Sequence, residues 1–229
     1  MSRIRSGLVL AAVAVATLAA ASSAAAQGAA GSSPPSPARQ KSDAVAKAKA
    51  RADSARLPYT EADVDFMSGM ISHHAQAIVM AKWAPTHGAS AAVQTLCARI
   101  INAQTDEIAL MQQWLRDRNQ TVPEAKPVPM KMKMNGMTMV MLMPGMLSDA
   151  QLKELDAARG ADFDRLFLTF MIQHHSGAVT MVKDLFASEG AGQDELTFKF
   201  ASDVNTDQTT EISRMREMLA RVVFNKRAP

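Results

Sequence analysis

The sequence predicts an all-α fold, a four-helix bundle made of two copies of one helical hairpin. Three observations carry that expectation. Phe66-Met67-Ser68-Gly69-Met70-Ile71-Ser72-His73-His74 through Lys82 lines up without a gap on Phe167-Leu168-Thr169-Phe170-Met171-Ile172-Gln173-His174-His175 through Lys183, at an offset of 101 residues. A second motif follows each copy: Gln104-x-x-Glu107-Ile108-x-x-Met111 matches Gln208-x-x-Glu211-Ile212-x-x-Met215, at an offset of 104. The composition agrees, with 5% aromatics against 17 methionines and many alanines, poor in strand formers and rich in helix formers.

Each element follows from its own signals. Thr60 and Asp63 form a capping box of the acidic kind, and Met67, Met70, Ile71, His74, Ile78 and Ala81 repeat at helical spacing until Pro85 and Gly88 end the stretch. Ser90 caps a second helix running to about Arg118, with Leu96, Ile100, Ala103, Ile108, Met111 and Leu115 facing inward. Ser148-x-x-Gln151 opens a short helix that Gly160 ends. Asp162 starts the third long helix and Gly190 and Gly192 break it; the fourth runs from about Asp194 to Val222. Neither hairpin can bury an apolar face alone, so the two are expected to pack together.

Residues 1–26 read as a secretory signal: Arg3 and Arg5, then an apolar run from Gly7 to Ala20, then a small-residue site at Ala24-Ala25-Ala26. Residues 27–57 form a Gly, Ser, Pro and Ala-rich tether whose Ser42–Arg56 part can form a marginal helix. Residues 58–229 are the bundle domain, with no further apolar run of membrane-spanning length. The expected location is the bacterial periplasm or the exterior, without stable membrane insertion after cleavage.

The net charge of +3, from 25 basic and 22 acidic residues, falls to +1 once Arg3 and Arg5 are set aside, and no basic stripe with aromatics supports nucleic-acid binding. One cysteine excludes a disulfide framework, and Cys97 reads as a buried thiol between Leu96 and Ile100. No nucleophile elbow, phosphate loop or His-Glu-x-x-His motif points to an enzyme.

The paired histidines carry the chemistry. On a helical wheel Met70, His73 and Met80 share one face, with His74 beside them toward the core stripe; Met171, His174, Met181 and His175 reproduce the set. Thioether next to imidazole suits a soft metal, Cu(I) above all and also Ag(I), whereas hard cations want oxygen. Glu107 and Glu211 can accept hydrogen bonds from imidazole N–H groups and orient the rings, with Gln104 and Gln208 able to do the same. Without a Glu-x-x-His pair, a di-iron oxidase is disfavoured. His87, beside Gly88, reads as a solvated turn residue. Between the hairpins, Met130, Met132, Met134, Met137, Met139, Met141, Met143 and Met146 put eight methionines into 17 residues. Their alternation at 137–143 fits a strand-like segment lying on the bundle, and their density fits a multi-thioether cradle for Cu(I) or Ag(I).

Taken together, F-M-x-x-M-I-x-H-H, Q-x-x-E-I-x-x-M, P-G-M-L and F-L-x-x-M-I-x-H-H-x-G-A-V-x-M resemble the domain of unknown function 305 family over residues 60 to 220. The resemblance implies a ferritin-like helical bundle, and copper binding and tolerance in the periplasm without catalysis. It adds Met111 and Met215, from the partner helices, to the motif positions Met70, His73, His74, Met80, Met171, His174, His175 and Met181. The expected function is buffering or chaperoning of copper, Cu(I) before Cu(II), with a periplasmic copper-transport partner. Two alternatives stand beside it: a structural or interaction bundle whose His pairs only hold the core, and a metal-dependent oxidase on the same scaffold.

Overall fold

The computed structural model describes residue 45 and residues 58–134 and 137–225. The expected signal at 1–26 and, Val45 apart, the tether at 27–57 with its marginal helix lie outside the described residues. Helix α1 (Glu61–Lys82) begins at a capping box in which Thr60 and Asp63 satisfy each other's backbone N–H groups. Helix α2 (Ala91–Asp117) is capped by Ser90. A ribbon of β1 (Met130–Met134) and β2 (Met137–Met141) follows, then α3 (Asp149–Ala157) behind the Ser148/Gln151 capping box. Helices α4 (Gly160–Ala187) and α5 (Glu195–Asn225) complete the chain. Gly160, expected to end the short helix, instead opens α4 two residues before Asp162: its φ of +56° turns the chain directly from α3 into the next helix.

Helix α1 packs along α2, α4 packs along α5, and the two hairpins meet through α1 and α4. Two apolar clusters show how these central helices run. Phe66, Met67 and Met70 from the start of α1 pack with Met181, Val182 and Leu185 from the end of α4. Ala77, Met80 and Ala81 from the end of α1 pack with Phe163, Phe167 and Met171 from the start of α4. The central helices therefore cross antiparallel, and equivalent residues of the two repeats take equivalent places on opposite sides of a pseudo-twofold axis.

Polar locks close the far ends. Arg118, at the end of α2, reaches Asp194, just before α5, at 2.7 Å with both side chains almost wholly buried. Trp114 Nε1 donates to the other carboxylate oxygen at 2.8 Å, and the guanidinium lies 4.1 Å from the Trp114 ring centroid. Asp194 also accepts from the N–H and hydroxyl of Thr197, capping α5. Buried Asp63 joins the first helix to the last turn by accepting from Gly192 N–H at 2.7 Å.

His87 departs from the solvated turn expected of it. It is buried between Trp83 and Phe163, with Nε2 3.0 Å from Asp156 and Nδ1 3.0 Å from the Thr86 hydroxyl. Asp156 lies 69 residues away in α3, beyond the reach of local pattern. Ala103, expected inward, is exposed on α2.

The ribbon answers the expectation of a strand-like methionine segment, and it is a hairpin. Its register pairs Met130 with Met141, Met132 with Met139 and Met134 with Met137. Between them Lys131 pairs with Val140 and Lys133 with Thr138.

Candidate metal centre

The helical repeat carries the two His-His pairs to the point where α1 and α4 cross. All four rings are wholly buried. His73 and His174 face each other across the axis with centroids 3.8 Å apart and planes 37° apart. His74 and His175 flank them, at 6.4 Å from His73 and 6.2 Å from His174 respectively.

Two of the four rings are hydrogen-bonded through Nε2 to oxygens that can only accept, and a third lies close to one. His73 Nε2 lies 3.0 Å from the Pro144 carbonyl, and His175 Nε2 lies 2.8 Å from Glu211 Oε2. His74 Nε2 lies 2.7 Å from Glu107 Oε2, an ion-pair distance at an angle outside hydrogen-bond geometry. With the proton on Nε2, the lone pair of a neutral ring belongs to Nδ1. All four Nδ1 atoms are buried without a hydrogen-bond partner in the protein, and so are Nε2 of His74 and of His174. Buried polar atoms ordinarily find partners, and here several buried ring nitrogens at the crossing have none in the protein. Glu211 takes the expected place as acceptor to His175, whereas Glu107 reaches His74 at ion-pair distance without hydrogen-bond geometry. Gln104 and Gln208, expected to help, instead sit buried with both amide atoms of Gln104 and Oε1 of Gln208 unpartnered.

The thioethers divide between the two apolar clusters in a regular way. Met70 and Met111 of the first repeat share one cluster with Met181 of the second. Met171 and Met215 of the second share the other with Met80 of the first. Each group thus draws one residue from each of three repeat positions, and each is assembled across both halves. Among the described residues, no three His, Cys, Asp or Glu side chains converge to hold a metal by themselves. Imidazole and thioether are both donors that a soft cation accepts. Cys97 does not contribute: burial and the Asp164 carboxylate push its thiol up to about 12, far from a thiolate at neutral pH.

Sequence reasoning missed the segment that covers the pair. Residues 143–147 run over the crossing and are held at repeat-equivalent positions by opposite means. Gln76 clamps Leu147 with two hydrogen bonds, to its N–H at 2.7 Å and its carbonyl at 3.0 Å. At the matching place in α4, Gly177 leaves room for the backbone of Pro144 and Gly145: an added Cβ would lie 1.9 Å from the Pro144 oxygen. The signal was present as the sharp mismatch of Gln76 with Gly177 inside an otherwise close repeat. Of the eight linker methionines, Met143 and Met146 are buried against the bundle, and Met141 is exposed where the ribbon leaves a cleft of about 420 Å³ lined also by Met143, Met181, Asp65 and Asp184. The side chains of Met130, Met132, Met134, Met137 and Met139 are not among those described.

Burial, reinforced by the charge of neighbouring His74, pushes His73 down to about 3, and burial with His73 and His175 pushes His174 well below its ordinary value. The folded state thus resists protons that the unfolded chain accepts near pH 6.5. Stability contributed by neutral His73 is complete above about pH 6.5 and is lost progressively toward pH 3. Metal-free protein unfolded in urea should lose roughly 3 kcal/mol between pH 7 and pH 4 from this ring alone. A flat profile over that range would show that His73 takes a proton without cost.

These features define a class: a pair of helical hairpins crossing at duplicated His-His motifs flanked by methionine. The family model described as domain of unknown function (DUF305) matches residues 63–219, and the chain belongs to that family. Its fold is similar to a DUF305 fragment from Deinococcus radiodurans (27% identity, TM-score 0.59, covering 72% of this chain and 99% of that one). It is also similar to a DUF305 protein of Streptomyces coelicolor described as a candidate secreted protein (26%, TM-score 0.59, 70% and 93%). A third similar structure is CopM in its Cu(I)-bound form (26%, TM-score 0.53, 72% and 98%), a protein also solved with Cu(II) and with silver. No curated protein matches the chain significantly. Among the described residues, no helix is long and apolar enough to cross a membrane.

Proposed function

We propose that this protein is an exported, non-catalytic copper-handling protein that holds Cu(I), and can hold Ag(I), at the crossing of α1 and α4. The observation that carries the reading is the set of four buried, unpartnered Nδ1 atoms, with the His73 and His175 rings oriented by oxygen acceptors on Nε2. This is how metal-binding imidazoles are ordinarily presented, with the second nitrogen tied to a carboxylate or carbonyl. His73 and His174 supply the imidazoles, and Met70, Met111 and Met181 or Met171, Met215 and Met80 supply sulfur on either side. Thioethers need no deprotonation, so the site stays competent in an acidic or oxidising compartment. The ribbon methionines collect metal and pass it on, to the bundle or to a copper-transport partner. Similarity to CopM structures containing Cu(I), Cu(II) and silver supports the metal class. The signal segment at 1–26 supports export.

An anaerobic Cu(I) titration against a chromophoric chelator tests the reading. The wild type should compete for Cu(I), and a His73→Ala/His174→Ala variant that remains helical by circular dichroism should lose at least ~100-fold in affinity, the scale on which first ligands exceed the 10–100-fold effects of their supporting groups. Competition that survives the double change would remove copper from these histidines. The second reading, a purely structural histidine core, is favoured by the stacking of His73 on His174 and predicts no competition at all.

A further inference from the structure

The four imidazoles have no surface of their own, so a cation must reach them past something else. On one side the way is closed: Pro144 and Gly145 lie on α4 at backbone contact, and Gln76 pins the segment through Leu147. On the other side, between α2 and α5, the rings meet carboxylates. Glu107 and Glu211 touch His74 and His175 at 2.7 and 2.8 Å, yet their side chains are 22% and 21% exposed, so each spans the distance from buried ring to solvent.

Asp207 stands outside them, exposed on α5 one turn before Glu211. Its carboxyl is held above its ordinary value by partial burial and then by the charges of Glu107, Asp203 and Glu211, so it feels carboxylates from both helices at once; Lys199, paired with Asp203, works the other way. Gln104 and Gln208 lie one turn from Glu107 and Glu211 on the same helix faces, more than nine-tenths buried, with amide atoms that no protein group satisfies. They form a polar lining that packing alone does not call for. Asp203 and Asp207 are also where the repeats part: the first copy has Arg99 and Ala103 at those places, so the acidity belongs to the second half by substitution and not by duplication.

We propose that Glu107, Asp207 and Glu211 form the port through which a hydrated metal cation reaches the buried imidazoles, with Asp207 as the outer carboxylate that draws it in. The port rests on the metal-binding reading above. Its carboxylates act by concentrating and steering a cation, an effect on association rate that salt screens. The glutamines replace part of the hydration shell as the cation passes inward.

Stopped-flow mixing of the full-length chain with aqueous Cu(II) tests the port, read as tryptophan quenching in the phase that a folded His174→Ala variant lacks. Asp207→Asn should slow that phase about three- to tenfold at ~10 mM ionic strength and less than twofold at ~300 mM. Asp207→Glu should restore the rate, and Asp149→Asn, which removes an equal charge on distant α3, should leave it unchanged. Gln76→Ala, which loosens the Pro144 side, should also leave it unchanged. Equal rates for wild type and Asp207→Asn, or slowing that salt does not remove, would overturn the port while leaving the copper site standing. Acceleration in Gln76→Ala would put the entrance on the linker side and overturn it likewise. A wild type without any His174-dependent phase would overturn the port, and the copper reading falls with it if the anaerobic Cu(I) titration also shows no competition.

Discussion

Asp194→Ala should destabilise the protein by about 4 kcal/mol, the largest loss expected from any one side chain outside the hydrophobic core. The alanine leaves the Arg118 guanidinium buried without its counter-charge, and breaking one side of a buried pair costs roughly 3–5 kcal/mol. Trp114 Nε1 loses its acceptor and α5 loses its cap in the same step. Burial alone would push the Asp194 carboxyl upward, but hydrogen bonds from Trp114 and Thr197 and the Arg118 charge outweigh it and hold the carboxyl below its usual range. Stability from this lock is therefore present above the ordinary carboxylate value and lost only as pH falls below about 4. Urea unfolding followed by circular dichroism checks the size. Asp194→Asn separates the causes, because it keeps hydrogen-bonding atoms while removing the charge. If Asp194→Ala costs under ~1 kcal/mol, the pair is no more than a surface contact in effect.

Gly177→Ala is the second large effect, and here two principles oppose each other. Helix propensity favours alanine over glycine by about 1 kcal/mol in a helix interior. Space forbids it, since the new Cβ would lie 1.9 Å from the Pro144 oxygen and 2.6 Å from Gly145 Cα, both backbone atoms with no rotamer to yield. The covering segment must lift, and His73 Nε2 then loses its carbonyl inside a dry core. Overpacking and an unsatisfied buried donor each cost about 1–3 kcal/mol, so a net loss of roughly 2–4 kcal/mol is expected. The measurement is the urea midpoint, read beside the Nε2–H signal of His73 in a nitrogen-15 spectrum, which should shift or broaden. Gly190→Ala is the control: its nearest neighbour is a Thr60 methyl at 3.6 Å, so only its left-handed backbone, at roughly 1–2 kcal/mol, opposes the change. A stabilised Gly177→Ala protein would mean that the segment does not rest on α4.

Much of this was legible beforehand because repetition converts weak local signals into a consistent one. Five helices, three of their caps and the ribbon's apolar alternation follow from spacing alone, and so does a role for Glu107 and Glu211 beside imidazoles. What spacing cannot supply is the path of a connection. The Pro144 carbonyl reaches His73 across 71 positions, and Arg118 finds Asp194 across 76, contacts set by how the hairpins dock and not by any local period. His87 was misplaced for the same reason. A lone histidine beside a glycine looks like a turn until the aromatic rings on either side of it are known.

The exchange of methionines between halves has a consequence for ancestry and assembly. A hairpin that meets an equivalent hairpin across a twofold axis, each lending its far methionine to the other's group, is arranged as the subunits of an isologous dimer are. One hairpin alone carries two methionines of one group, one of the other, and one imidazole of the facing pair. Fusion of two copies makes the encounter intramolecular and independent of concentration. It also ends the equality of the subunits, for a single covalent connection can cross the axis on one face only. That face belongs to Pro144, and the opposite one was left free for the two halves to diverge.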